Sequence, residues 1–229
     1  MSLQIEPYRK DGLMFERISR RERYDLIIAW FALSVAFSMI FFGGIGSYGS
    51  PHKISFETYL TYLVISMITV GVGFVLHELA HKFTAMRYGY WAEFRKDNIM
   101  LLVAVIVAVF LGIVFAAPGA TMISGTGITS RQNGKISAAG PLTNLLLCIP
   151  FALILMASGS LGLATSSQTL LSLIGIVGLQ VNAMFAAFNM LPVSVLDGKK
   201  VLAWNPAVFV VLFVASFGIL IAIFYPLIL

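Results

Sequence analysis

His77, Glu78 and His81 stand in the order His-Glu-Leu-Ala-His. On a helix that spacing sets both imidazoles on one face, one turn apart, where they can share a metal ion. The intervening glutamate is placed to take a proton from a metal-held water, the way zinc hydrolases make a nucleophile near neutral pH. The pentapeptide closes an uncharged stretch, Thr58 to Leu76. The chemistry it implies, metal-assisted hydrolysis, therefore belongs in a bilayer or at its edge. A hydrolytic zinc keeps three protein ligands and one open position. Asp197 is the candidate third ligand, because a carboxylate oxygen binds zinc and only His52 remains outside the pentapeptide among the three histidines. The competing readings are His52 as ligand and Asp197-Gly198 as a plain turn.

The elements that must position these groups follow from composition. Of 229 residues, 59% are hydrophobic and 11% charged, against roughly 25% charged in soluble domains. Several windows reach the ~20 apolar residues that cross a hydrocarbon core. The net charge of +5 reads as basic residues flanking spans on the cytoplasmic side. No basic run interleaved with aromatics supports nucleic-acid binding. Cys148 is the single cysteine, so no intrachain disulfide is possible. The polar first 25 residues lack an apolar signal-peptide core, and the first span is expected to insert uncleaved.

The expected fold is an all-α polytopic membrane protein. Residues 1–25 form a cytoplasmic tail, and residues 26–229 form one transmembrane domain with a catalytic core over about 58–205. Spans are expected near 26–46, 58–89, 136–156, 169–190 and 206–225, with 189–200 a polar-ended turn. Residues 98–130 are uncharged and pose a parity problem. If Asp197 joins His77 and His81, both must lie on one side of the membrane. The spans at 136–156 and 169–190 return the chain to its starting side, so a further full crossing at 98–116 would separate the ligands. Thirty-three residues are too few for two full spans and a turn. A re-entrant segment of short helix and strand fits, with irregular backbone tolerated because it lines a wet cavity. This topology also keeps Lys82, Arg87, Arg95, Lys96, Arg131, Lys135, Lys199 and Lys200 cytoplasmic, as the positive-inside rule prefers.

Three motifs in order carry a resemblance: His77-Glu78-Leu79-Ala80-His81, Gly140-Pro141-Leu142-Thr143-Asn144, and Asn189-Met190-Leu191-Pro192 followed by Leu196-Asp197-Gly198. In these the chain resembles the site-2 protease family of intramembrane zinc metalloproteases. The resemblance implies a single zinc ion bound by His77, His81 and Asp197, with Glu78 as catalytic base. It also implies, as partner, a membrane-protein substrate cut in or near a transmembrane segment. Lys199-Lys200 stand where family members often carry a second glycine or small residue, and no PDZ-like insertion fits the length.

Two asparagines are further candidates for the oxyanion or the substrate. Asn144, one turn into the Gly140-Pro141 helix, could donate to an oxyanion or bond a neighbouring helix. Asn189 could orient Asp197 through the 189–198 turn or cap its helix. Phe115 to Met122 could offer a strand edge to an extended substrate. The alternatives to a protease are a membrane transporter or metal-permeation protein, and a catalytically silent relative that binds membrane partners. A transporter would more often show repeated halves, and no internal repeat is visible.

Overall fold

The computed structural model describes residues 18–41, 55–111, 118–158, 169–193 and 195–224. The early tail, His52, Phe115 to Ala117 and the 157–168 loop from residue 159 lie outside them. The described residues form α1 (Arg20–Phe41), α2 (Phe56–Arg87), β1 (Trp91–Lys96), α3 (Asn98–Leu111), β2 (Gly119–Ser124), α4 (Ser130–Ala157), α5 (Leu170–Asn189), α6 (Asp197–Trp204) and α7 (Pro206–Phe224). Five of them, α1, α2, α4, α5 and α7, are long and apolar enough to cross a membrane.

Local signals explain the helix boundaries. Ser55 caps α2 by accepting from Thr58 N–H, and Thr129 and Gln132 form a reciprocal capping box at the start of α4. Asn205 Oδ1 accepts from Ala207 and Val208 N–H, with Pro206 in the first helical position of α7. Gly89 takes φ 82°, a left-handed conformation that suits glycine and turns the end of α2 into β1.

The expected excursion near 98–130 is a helix followed by a strand. Asp97 Oδ1 caps α3 through Ile99 and Met100 N–H. At 14 residues the helix is about 21 Å long, short of the ~30 Å hydrocarbon core. It buries Leu101, Ala104 and Ala108, while Ile99, Leu102, Ile106 and Phe110 face outward. The chain then returns to its departure point. β2 pairs antiparallel with β1 from Trp91↔Ser124 to Lys96↔Gly119, and Asp97 N–H donates to Pro118 O at 3.0 Å. Departure and return at neighbouring backbone positions are what the parity argument requires.

Three expectations shift. The first span starts at Arg20 rather than about residue 26, and it buries Glu22 and Asp25. The connecting segment after α2 contains strand β1. Asp197 is the first residue of helix α6 rather than part of a turn.

The membrane helices pack through small residues, which substitute close contact for a hydrophobic drive that lipid cannot supply. A Cβ at Gly175 would lie 2.7 Å from Leu155 N, and one at Gly178 would enter the Phe151 ring, so α4 and α5 meet closely. Trp30 of α1 lies against Gly71 of α2 and donates Nε1–H to Met67 O at 2.8 Å.

Candidate metal centre

Helix α2 supplies His77 and His81, and α6 supplies Asp197. The structure brings these three together. His77 Nε2 and His81 Nε2 are 3.0 Å apart, and they lie 3.5 and 3.0 Å from Asp197 Oδ2. All three residues are buried. Nitrogens bound tetrahedrally at about 2.0–2.1 Å stand about 3.3 Å apart, so the spacing fits a single zinc-sized cation.

The outer partners fix which imidazole nitrogen is free. His77 Nδ1 lies 2.5 Å from Asn144 Oδ1, and His81 Nδ1 lies 2.8 Å from the Ile136 carbonyl. Both oxygens can only accept, so each Nδ1 carries the hydrogen and each Nε2 turns a lone pair toward its neighbour. Such second partners orient metal-bound histidines generally. Two lone pairs and a carboxylate oxygen converging in a buried site would repel unless a cation sat between them. Asp197 is buried with the two imidazoles, and burial disfavours a charged carboxyl unless a cation lies beside it. Its other oxygen, Oδ1, lies 3.9 Å from Lys200 Nζ.

Gly140 leaves the space. A Cβ there would lie 2.6 Å from His77 Nε2 and would also strike His81 Nε2. A methyl group there would crowd the two nitrogens that would hold a metal.

Of its two readings, Asn144 shows the bonding to neighbouring helices. Its Oδ1 accepts from His77, and its amide donates to Gly73 O at 3.1 Å and Asn182 Oδ1 at 2.9 Å. Fully buried, it has no N–H left to offer and instead orients the first imidazole. Asn189 lines the cavity but gives its amide to Phe185 O at 3.0 Å. The cap of α5 is Met190, whose N–H reaches Ala186 and Phe188 O.

Glu78 is buried beside the ligands without joining them. Its Oε2 accepts from Thr121 Oγ1 of β2 at 2.8 Å. The group opens on a cavity of about 350 Å³. Phe37, Phe185, Phe188 and Phe217 form its apolar side; His77, Glu78, His81, Asp197 and Lys200 form the polar side, and β2 forms one wall. Sequence reasoning missed Thr121 as a partner of Glu78, and Asn182 and the Ile136 carbonyl as supports. Asn182 alone carried a signal, being a polar side chain in an apolar span.

The chain is 37% identical over 195 residues to a Methanocaldococcus jannaschii protein named "Putative zinc metalloprotease MJ0611"; the match covers 85% of this chain and 90% of that protein. It is 28% identical over 152 residues to "Putative zinc metalloprotease YwhC" of Bacillus subtilis, covering 62% and 68% of the two chains. No family model matches, and no solved structure does. The likeness to the first relative runs through nearly its whole length, and so the chain belongs to the family of membrane zinc metalloproteases that includes MJ0611.

Proposed function

We propose that this protein is an intramembrane zinc metalloprotease of the site-2 type, which hydrolyses peptide bonds in or near transmembrane segments of membrane-protein substrates. The observation that carries the reading is the meeting of His77, His81 and Asp197 at ion-binding spacing, with Glu78 on the same cavity. Bound zinc supplies Lewis acidity, making a water acidic enough to attack near neutral pH and polarising the scissile carbonyl.

The chain's own residues do the rest. Asn144 and the Ile136 carbonyl keep both imidazoles in the ligating tautomer. The Glu78 carboxylate takes the proton of the attacking water and passes it to the leaving nitrogen. A helical substrate hides its peptide bonds and must unwind; the edge of β2 away from β1 is unpaired by any strand among the described residues and can pair an extended segment. The phenylalanines exclude water and receive apolar side chains. Asn189 and Lys200, on the cavity wall, can donate to the substrate backbone. The active site and N-terminus face the cytoplasm: the end of α2, the sheet, the start of α4 and α6 carry Lys82, Arg87, Arg95, Lys96, Arg131, Lys135, Lys199 and Lys200.

The test pairs two substrates for the purified protein. Casein, an unfolded chain, needs no unwinding; a panel of single-span reporters co-reconstituted in liposomes tests cleavage within the bilayer. Both are expected to be cut, with cleavage stopped by a zinc chelator and restored by added zinc. Chelator-insensitive cleavage would remove the metalloprotease reading. Cleavage of casein with every reporter intact would remove the intramembrane one.

A further inference from the structure

Strand β2 alternates. Gly119, Thr121 and Ile123 are half-buried, while Ala120, Met122 and Ser124 are exposed. The half-buried three all line the cavity, and Thr121 alone among them carries a hydroxyl. Valine or isoleucine would suit a half-buried strand position as well, and burying a hydroxyl is unfavourable unless it finds an acceptor. Thr121 finds Glu78. Its Oγ1 lies 2.8 Å from the Glu78 Oε2 and 3.3 Å from the Glu78 backbone carbonyl. A hydroxyl has one proton, and the nearer, charged acceptor takes it.

The contact is held from behind. β2 hangs on β1, and β1 is tied to two helices at one point. Glu22 of α1 accepts from the Phe94 N–H at 3.0 Å and pairs with Lys82 of α2, both side chains fully buried. Lys82 follows His81 directly. The sheet is therefore fastened to the metal-binding helix beside the ligands, and β2 cannot slide without dragging Thr121 off the carboxylate.

We infer that Thr121 is a positioning residue for Glu78: its hydroxyl aims the carboxylate, so the strand that seats the substrate also sets the base. The inference rests on Glu78 being the base. Without the hydroxyl the carboxylate loses its orientation toward the attacking water, and the loss falls on turnover rather than on binding.

The experiment compares Thr121→Val, which keeps shape and strand preference, with Thr121→Ser, which keeps the hydroxyl. Each is assayed for zinc content and for kcat and KM on casein. Thr121→Val should bind zinc normally and lose about 10- to 100-fold in kcat, the size expected for one hydrogen bond to a charged group. KM should change by less than about twofold, and Thr121→Ser should recover most of the rate. A second readout needs no turnover. Isotope-edited infrared spectra of protein labelled with 13C-glutamate should show one carboxylate band displaced by Thr121→Val, and no displacement in a Glu78→Gln background. Unchanged kcat, equal loss in the Ser and Val variants, a change confined to KM, or a band displacement that survives Glu78→Gln would each overturn the inference. Full activity of Glu78→Gln itself would instead overturn the reading of the base.

Discussion

Gly140→Ala should leave the protein folded and without its metal. On backbone grounds the change is favourable, since alanine stabilises a helix interior over glycine by up to about 1 kcal/mol. Its Cβ, however, would enter the space between the two Nε2 atoms, 2.6 Å from that of His77. Whether the imidazoles could yield decides the outcome, and they are held. His77 is tied to Asn144, which is itself bonded to Gly73 and Asn182, and His81 is tied to the Ile136 carbonyl. Moving either ring breaks a buried hydrogen bond, at about 1–3 kcal/mol. Zinc should fall from about one per chain to near none, cleavage should vanish with it, and the secondary structure should persist. Stoichiometric zinc in purified Gly140→Ala would show that the metal sits elsewhere.

Lys82→Met should destabilise the protein by about 3–5 kcal/mol, the usual consequence of leaving one member of a buried ion pair without its partner. Glu22 and Lys82 are both 0% exposed, so water cannot take over for the missing ammonium. The double change Glu22→Leu with Lys82→Met should recover much of that loss, because well-packed apolar residues often replace a buried pair at little expense. A deficit of about 1–3 kcal/mol should remain, since Phe94 N–H loses its acceptor. Unfolding of detergent-solubilised protein measures both. A single variant as stable as wild type, or a double variant no better than the single, would contradict the role assigned to the pair. The pair also bears on function, because it fastens the sheet to the helix of His77 and His81.

Much of the frame is legible in the sequence because its signals are local. Uncharged runs mark the spans, and His77-Glu78-Leu79-Ala80-His81 names its own helix face. The return of residues 98–130 follows from counting crossings, and the Lys96↔Gly119 pairing meets it. What stays hidden depends on neighbours. Trp91 to Lys96 holds three charges in six residues and reads as a loop. Its strand becomes intelligible once Glu93 is seen paired with Arg95 and Phe94 N–H bonded to Glu22. Gly140-Pro141 falls within an expected span, and both residues lie inside α4; what the sequence does not tell is that the glycine clears room for two imidazoles. Asn144 could serve an oxyanion or a neighbouring helix on sequence grounds alone. Only the approach of His77, Gly73 and Asn182 decides between them. Thr121 was one threonine in an apolar tract until the strand's register placed it on Glu78.

Zinc content and casein cleavage, measured together on Glu78→Gln, test the central claim most directly. The account predicts that this variant binds about one zinc per chain, since Glu78 is not a ligand, while cleavage slows by about 10²- to 10⁴-fold, the contribution of a general base. Cleavage at the wild-type rate with zinc in place would contradict it.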